Sequence, residues 1–387
     1  MKKNIYIYGA HSRAQTLATY MCYLDKDIHI ETYFYDNDEE NPETIGEVPV
    51  FCLNKHTDIQ ALNLSLDYPV YLGTRGVFHE RITEILKKIG FKIIKPVTVE
   101  MDLTLRNQYL EKYYTSIGRE FIKLDKLKGL PSSTSANAGL INSSLTNINF
   151  GLTNEISASV YVVKSPFDRP LQQEYPLASY ERQIYAGAVF AENSPDLLPE
   201  NALRDDTGDN ISAKNKQFCE LTALYWLWKH AGEDIIGLAH YRRHFLLPQD
   251  WKERMLNNQI NVILPTPLYV ASCVEENFKS RHDPSDWEFM MQYLKNNHPE
   301  DFQSANKFFK GNLYSPCNMF VMKREVLDVL CTWLFPILFQ VANHGGQKED
   351  SYLNRYPGFI SERLISLFFE INRSRFNLVY ADKNFLP

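Results

Sequence analysis

Charged side chains follow an apolar segment in the C-terminal half of the chain. The segment Ile235–Ala239 leads directly into His240, Tyr241, Arg242 and Arg243. In open α/β sheets ligands bind beyond the carboxyl ends of the strands, so these side chains would point into a site. A guanidinium group pairs bidentately with phosphate oxygens, and two adjacent arginines therefore suit a diphosphate. A basic cluster on the surface is the alternative interpretation.

A second candidate segment is rich in carboxylates around a glycine. It spans Leu203–Ser212, and its charged residues are Arg204, Asp205, Asp206 and Asp209. Such a loop could hold a metal ion, for which Asp205 and Asp206 are the candidates, or could hydrogen-bond the hydroxyl groups of a sugar or ribose. A solvated turn fits the composition equally well, because Asp, Asn and Gly are the usual turn residues.

Further candidates lie on or beside predicted helices. Glu220 shares a helix face with apolar residues, so it is either a charge in the first turn or a buried acid that faces a ligand. Glu362 follows Ser361, which could cap a helix, and either Glu362 or Asp350 could be a general base. His282 is a site candidate, although a lone histidine is more often structural.

The first predicted strand ends at a glycine turn that opens a helix. Gly9 and Ser12 lie in this turn, and Asp36 ends the second predicted strand, where a ribose-binding acid sits in dinucleotide folds. The turn would let the backbone approach a pyrophosphate at the helix N-terminus. Only one glycine stands where the fingerprint has three. The sequence therefore favours a docking or structural module that has kept the fold and lost the site, and intact nucleotide binding is the alternative.

Alternating strand and helix patterns predict two α/β domains. Strands at Asn4–Tyr8 and His29–Tyr35 flank a helix at Arg13–Leu24, which is the order of a Rossmann-like unit. Pro131–Phe150 contains no Lys, Arg, Asp or Glu and is typical of a linker. We expect a Rossmann-like domain at residues 1–130, a Ser/Asn-rich linker at 131–152 and a second α/β domain at 153–387. In the second domain the pattern predicts, among others, the helices Gln217–Lys229, Arg324–Gln340 and Ser361–Glu370.

Composition excludes several classes of protein. The chain has 387 residues, of which 44% are hydrophobic and 23% charged, so it is neither disordered nor collagen-like. Its net charge, 41 − 47 = −6, disfavours a nucleic-acid binder. The six cysteines show no CxxC or zinc-ligand spacing, which favours reduced thiols in a cytoplasmic protein. The longest apolar candidate, Val326–Ala342, is interrupted by polar residues, so we expect only peripheral contact with a membrane.

Several segments of the second domain occur together in a characteristic order. They read LRDDTGDNIS, CELTALYWLW, IGLAHYRRHF, NMFVM followed by CTWLFPILF, and GFISERL. Together they resemble a bacterial family of capsular-polysaccharide and lipopolysaccharide glycosyltransferases, catalogued as a domain of unknown function, over roughly residues 157–380. Asn318 opens the NMFVM segment and is a further substrate-binding candidate. The resemblance implies a GT-A-like fold that binds a nucleotide-sugar at its strand ends.

The resemblance also implies a chemistry. A UDP-linked sugar, which in some members is implied to be galactofuranose transferred with inversion, would pass to a growing capsule or O-antigen glycan on a lipid carrier. This would place the protein in the cytoplasm, at the inner face of the plasma membrane. Arg242 and Arg243 would stabilise the diphosphate, and Glu362, with Asp350 in reserve, would take the proton of the acceptor.

Metal dependence and the role of the first domain stay open. Enzymes of this fold often hold Mn²⁺ or Mg²⁺ with Asp-x-Asp after a strand, but here that strand exit carries His240 and Arg242. Either the Asp205 and Asp206 loop supplies the metal or the arginines replace it. The first domain lies outside the family core and is similar to the N-terminal piece of bacterial sugar acyltransferases. A non-catalytic nucleotide-sugar-binding protein and a nicotinamide oxidoreductase are the rival functions.

Overall fold

The computed structural model describes residues 2–36, 41–54, 64–129, 156–191 and 195–386. The chain divides into two units, Met1–Phe121 and Ile122–Pro387. Residues 122–129, which the sequence assigns to the first domain, pack on the second unit: Leu124 lies in its core, and Lys123 Nζ is 2.6 Å from Asp382 Oδ2. The predicted linker at 131–152 lies outside the described residues, so that boundary stays a prediction.

The first unit is built on a largely parallel sheet. In the described residues its strands are ordered β3–β4–β2–β1–β5–β6, and only the short β3–β4 pair is antiparallel. The strands are β1 Lys3–Tyr8, β2 Ile28–Tyr35, β3 Thr44–Ile45, β4 Val48–Cys52, β5 Val70–Leu72 and β6 Ile94–Pro96. The helices are α1 Ser12–Leu24, α2 His79–Ile89 and α3 Val99–Ser116.

Alternation along β1 explains why both faces of this sheet are covered. Ile5 and Ile7 pack in a core with residues of α1, whereas Tyr6 and Tyr8 pack on the other face in a core with residues of α2. Parallel sheets are normally buried in this way, since the connecting helices lie on their faces. The chain leaves β1 for β2 on one side and later adds β5 on the other, which confirms the Rossmann-like prediction.

The second unit contains a mixed sheet. Its order in the described residues is β15–β11–β14–β10–β7–β8–β9, with β14 antiparallel to both neighbours. A separate antiparallel pair joins β12 and β13. The strands are β7 Ala158–Lys164, β8 Glu181–Tyr185, β9 Leu203–Arg204, β10 Ile235–His240, β11 Val262–Pro265, β12 Leu268–Tyr269, β13 Leu313–Tyr314, β14 Phe320–Lys323 and β15 Leu378–Ala381.

Helices surround this sheet and mostly follow the apolar periodicity. They are α4 Asn215–Phe218, α5 Leu221–His230, α6 Trp251–Asn257, α7 Val274–Lys279, α8 Pro284–Asn297, α9 Pro299–Phe309, α10 Arg324–Gly345 and α11 Tyr356–Ile371. The α/β class is thus confirmed for both units. Two predicted helices are wrong in detail: Gln217–Lys229 is broken at Cys219, where φ is +50°, and the last helix begins at Tyr356 instead of Ser361.

The ends of β7 and β10 and the start of β14 meet at one edge of the second sheet. β7 and β10 run parallel and end at Lys164 and His240, while β14 runs the other way and begins at Phe320. The residues just before β14 therefore lie at the edge where β10 ends. β10 and β7 approach closely because Gly237 has no side chain: a Cβ there would lie 2.8 Å from Val160 Cγ2.

Helix α10 contains the predicted apolar run. Among the described helices it is the one long and apolar enough to cross a membrane, judged by length and composition. More than half of its apolar window, 56%, is buried inside the protein. Its buried residues include Leu330, Leu334 and Leu338, which follow the four-residue spacing of a core helix. Helix α10 therefore carries only weak support for a membrane span.

Candidate active site

A cavity of about 250 Å³ lies at the edge where β10 ends. Its walls come from the α4–α5 junction, the end of β10, the loop before β14, and the first half of α11 with the turn before it. The lining residues are Cys219, Glu220, His240, Arg243, Cys317, Tyr352, Arg355, Gly358, Phe359 and Glu362. The structure thus brings together four residues that the sequence predicts for the site: Glu220, His240, Arg243 and Glu362.

Glu362 lies in the second turn of α11, with 15% of its side chain exposed. Its Oε1 accepts the backbone N–H of Cys317 at 2.9 Å, and its Oε2 accepts Arg363 Nη1 at 2.9 Å. Burial raises the pKa of Glu362, and the nearby Glu220 carboxylate raises it further, while Arg363 lowers it. A carboxylate with a raised pKa is a better proton acceptor near neutral pH, which suits a general base.

Glu220, the second carboxylate of the cavity, is held by the side-chain amide of Asn318. Asn318 Nδ2 donates to Glu220 Oε1 at 2.7 Å and to the carbonyl of Gly358 at 3.0 Å. The side chain of Glu220 is only 11% exposed. Glu220 is therefore a buried acid that faces the cavity, one of the two interpretations that the sequence leaves open. Asn318 does not line the cavity but fixes a residue that does.

The surroundings of His240 favour its neutral form. Its Nε2 lies 2.5 Å from the carbonyl oxygen of Cys317 and 3.9 Å from Glu220 Oε1. Burial lowers the pKa of His240; Glu220 raises it, and Arg243 and Arg355 lower it again. Because the carbonyl can only accept, the neutral ring donates from Nε2, and Nδ1 carries no proton.

Two guanidinium groups line the cavity, but only one of them is predicted. Arg243 lines it, whereas Arg242 turns away and donates from Nε to Tyr241 Oη at 2.8 Å. The second cation of the cavity is Arg355, which donates from Nε to Cys219 Sγ at 3.0 Å. Burial raises the pKa of that thiol to about 12, so it stays neutral.

The backbone of this region is strained. Cys219, Cys317 and Asn318 have positive φ values of 50°, 78° and 49°, although none is a glycine. Each such conformation costs about 1–3 kcal/mol and persists only where neighbouring contacts hold it. At Asn318 those contacts are the bonds of its amide to Glu220 and Gly358. Strained backbone is common at functional sites, and the three residues at this cavity are consistent with that pattern. Gln259 and Ser272, which do not line the cavity, also have positive φ values.

The Asp-rich segment does not reach the cavity. Asp205 is fully buried, and its carboxylate accepts the N–H groups of Gly187 at 2.9 Å and Ala188 at 3.1 Å and the Ser212 hydroxyl at 2.6 Å. These bonds fix the loop after β8. Asp205 therefore supports the fold, and its carboxylate is occupied by these three donors.

The neighbouring acids are also engaged elsewhere. Asp206 accepts Arg204 Nε at 3.0 Å, and Asp209 accepts Tyr225 Oη at 3.1 Å. Across the described residues no group of three or more His, Cys, Asp or Glu side chains could hold a metal ion. The oxygens predicted to bind Mn²⁺ or Mg²⁺ thus have other partners, and these residues do not fit the ion.

Asp350 and His282 have structural contacts outside the cavity. Asp350 Oδ1 accepts the N–H groups of Tyr352 at 2.9 Å and Leu353 at 2.8 Å, so it caps the turn before α11. His282 is buried, and its ring centroid lies 4.3 Å from that of Phe359, a lining residue. Burial and the nearby arginines lower the pKa of His282 to about 4.

Sequence reasoning also missed Asp168, which follows β7. Its Oδ2 accepts the N–H of Ser165 at 2.7 Å. Burial raises the pKa of this carboxyl, and the positive charge of Arg242 lowers it. Asp168 in turn contributes to the raised pKa of Arg355, which places its charge near the cavity.

The first unit has a cavity of its own, of about 650 Å³. Gly9, Ser12 and Asp36 all line it. These are the residues that the sequence predicts to bind a cofactor, and the fold brings them to one place.

Comparison with known families identifies the second unit. The family model described as "Domain of unknown function (DUF4422)" matches residues 172–373, more than half of the chain. The chain belongs to the DUF4422 family. Every residue that lines the 250 Å³ cavity lies inside the DUF4422 region.

One solved structure shares the fold. The apo structure of the bifunctional glycosyltransferase WbbM aligns with a TM-score of 0.51 and 22% sequence identity, over 59% of this chain and 45% of WbbM. The chain thus spans less than half of that protein. The aligned share exceeds the length of the first unit, so the likeness includes at least part of the second unit, whose mixed α/β fold agrees with the prediction. No curated protein matches the chain.

Proposed function

We propose that the DUF4422 unit is a GT-A-like glycosyltransferase that moves a sugar from a nucleotide-sugar to a growing polysaccharide. The observation that carries this proposal is the pairing, in one cavity, of two guanidinium groups, Arg243 and Arg355, with the buried carboxylate of Glu362. The cavity lies where ligands bind in α/β sheets, on a fold shared with a solved glycosyltransferase.

Leaving-group stabilisation falls to the arginines. As the bond between the anomeric carbon and the diphosphate oxygen breaks, its electron pair moves to that oxygen and negative charge grows there. Preorganised cations stabilise such charge where it develops. Arg243 and Arg355 are the cations that would stabilise the leaving group here, so Arg355 takes the role that the sequence assigns to Arg242. No step of the proposal passes through a metal ion.

Proton removal falls to Glu362. The acceptor hydroxyl oxygen forms the new bond to the anomeric carbon while its proton passes to the Glu362 carboxylate. The N–H of Cys317 and the Arg363 guanidinium fix that carboxylate, so it needs no reorientation during the reaction. Glu220 and His240 line the same cavity and would bind hydroxyl groups of the sugar. A single base of this kind supports a direct displacement with inversion.

The finer assignments follow from the family resemblance. The donor is proposed to be UDP-linked, with UDP-galactofuranose as the first candidate, and the acceptor to be a capsule or O-antigen glycan on a lipid carrier. Reduced cysteines are consistent with a cytoplasmic enzyme that works at the inner face of the plasma membrane. In the described residues none of the six cysteines forms a disulfide bond.

The test is UDP release from a panel of UDP-sugars in the presence of a lipid-linked oligosaccharide acceptor. We expect turnover that Arg355→Ala lowers by a factor of about 100 or more, since it removes a charge-assisted contact to the leaving group. Arg242→Ala is the matched control, because Arg242 does not line the cavity, and should lower turnover less than threefold.

Two outcomes would contradict the proposal. Equal losses from the two arginine variants would show that Arg355 has no special role. Binding of UDP-sugar without turnover, with every acceptor and with or without Mn²⁺, would instead favour a non-catalytic nucleotide-sugar-binding protein.

A further inference from the structure

The 650 Å³ cavity of the first unit is a candidate ligand site that glycosyl transfer does not use. It lies at the carboxyl ends of β1, β2 and β5, and its walls include Tyr8, Asp36 and Thr74, which end or follow those strands. Strand order reverses beside β1, and ligands of open α/β sheets bind at that point. Its volume is in the range of pockets that hold nucleotide-sized molecules.

Glycines bring helix α1 close to this cavity. Gly9 has φ +115°, and a Cβ on it would lie 3.2 Å from Ala14 Cβ. A Cβ on Gly73, after β5, would lie 3.0 Å from Ala14 Cα. The first turn of α1 therefore packs directly on the strand ends. His11 at its N-cap makes no capping bond through its side chain, and no acidic residue occupies that turn, so its N–H groups and the positive helix end can meet an anion.

The charge of the lining is positive. Among the described lining residues, Arg13, Arg75 and Arg81 contribute three guanidinium groups and Asp36 contributes one carboxylate. Arg81 pairs with Asp36, with Nη2 3.2 Å from Oδ1, and neutralises it. The side chain of Asp36 is only 7% exposed. Arg13 Nη2 lies 3.5 Å from Asp102 Oδ2, so Arg75 is the lining cation that has no carboxylate partner among the described residues. Arg75 therefore favours a negatively charged ligand.

Buried hydroxyl groups give an independent indication of a ligand. Tyr8 is 2% exposed, and in the described residues its hydroxyl has no hydrogen bond of normal geometry, although Asp36 lies near and, with burial, raises its pKa. The Thr74 hydroxyl is also buried without a described partner. Buried polar groups are nearly always paired, with protein or with ordered water. A polar ligand atom beside the Thr74 hydroxyl, and beside Tyr8 next to Asp36, would supply such a partner.

The same residues exclude a dinucleotide bound in the usual way. The Gly9–Ala14 turn keeps the first glycine of the fingerprint and the small residue at its end, but His11 stands where the middle glycine lets the backbone approach a pyrophosphate. Asp36, the position of the ribose-binding acid, is bound by Arg81.

We propose that the first unit binds a phosphate-bearing ligand smaller than a dinucleotide, with the phosphate at the N-terminus of α1 beside Arg75. A hydroxyl or carbonyl group of the ligand pairs with Tyr8. The recognised chemistry is the phosphate, whether it comes from a nucleoside diphosphate or from a simpler phosphate ester.

Hydrogen exchange measured by mass spectrometry on the full chain tests this locally. UDP should slow exchange of the amides in the first turn of α1, and inorganic phosphate should do so at higher concentration if the phosphate alone is recognised. Arg75→Ala should weaken the protection by UDP about tenfold, as expected for one charge-assisted bond. Arg106→Ala, whose guanidinium bonds Asn107 away from the cavity, is the matched control and should not change it.

The readout separates this site from the proposed active site. Arg355→Ala, which lies in the other unit, should leave the protection of α1 intact even where it abolishes turnover. No protection by millimolar UDP or phosphate would overturn the proposal. Equal protection in Arg75→Ala and in the unmodified protein, or tighter protection by NAD⁺ than by UDP, would also overturn it.

Discussion

Replacement of Glu362 by glutamine tests the assignment of the base most directly. Glutamine keeps an oxygen that can accept the N–H of Cys317, which the carboxylate accepts at 2.9 Å, but it cannot take a proton. A general base contributes about 10²–10⁴-fold, so we expect kcat to fall by that factor, or by about 3–5 kcal/mol of transition-state stabilisation.

The pH dependence of kcat is a second test of Glu362 as the base. Burial raises the pKa of Glu362, so the native enzyme should lose activity on acidification at a higher pH than an ordinary glutamate, which titrates near 4.3, would require. The base works only when deprotonated, so activity falls as pH falls through this raised pKa. In Glu362→Gln the residual activity should lack that acid limb. The assay is UDP release at saturating donor and acceptor.

Misfolding is a small concern for this variant, and a control is at hand. Arg363 keeps its bonds to the carbonyl of Phe359 at 2.9 Å and to Asn277 Oδ1 at 3.0 Å after its partner becomes an amide. Asp350→Asn removes a carboxylate that caps a turn outside the cavity, so its kcat should be unchanged. A Glu362→Gln enzyme with kcat within threefold of native, or with an unshifted acid limb, would refute the assignment.

Three further predictions concern the fold. Asp205→Ala should lower the free energy of unfolding by about 3–5 kcal/mol in urea, because it leaves three buried donors unpaired, with kcat of the folded fraction unchanged. Gly237→Ala should cost about 1–3 kcal/mol in the same assay, since its Cβ would meet Val160; a neutral result would contradict the close strand packing. The folded pKa of His282 is about 4, against 6.5 unfolded, so the unfolded state binds more protons between these values. Stability should therefore fall by up to about 3 kcal/mol from pH 6.5 to 4, and His282→Phe should remove this slope in thermal unfolding.

Apolar periodicity and strand-end chemistry predict much of the fold and part of the site. β10 is a continuous buried segment that is followed by polar residues. Ligands of α/β sheets generally bind at the carboxyl ends of such strands. This is why His240 and Arg243 could be placed from sequence. Which of two adjacent arginines turns inward depends on a local partner, and here Tyr241 holds Arg242 away.

Of the cavity residues that the sequence analysis missed, Cys219 depends on backbone geometry that its residue type does not reveal, whereas Arg355 does have a sequence signal. Cys219 breaks the predicted helix at φ +50°, a conformation that a cysteine does not announce. Arg355 could have been found, because Pro357 marks the first turn of a helix and would have moved the start of α11 ahead of Ser361. With that start, Arg355 and Glu362 stand seven residues apart, on one helix face.

The carboxylates of LRDDTGDNIS show the limit of composition. Asp and Gly in a loop predict a turn as well as a ligand site. Only the three-dimensional structure shows that the Asp205 carboxylate accepts hydrogen bonds from backbone N–H groups. The predicted metal role therefore rested on residue types whose oxygens were already engaged.

Helix α11 and its N-cap contribute three of the residues that line the cavity. Arg355 at its cap, Phe359 and Glu362 are spaced so that a small rotation of the helix would swing all three together while preserving their mutual spacing. Their separation from β10 would change instead. Substitutions at the buried residues Leu364 or Phe368 would thus change the distance between the α11 side chains and β10 and, in the proposed enzyme, the rate of transfer. Neither residue would need to contact donor or acceptor.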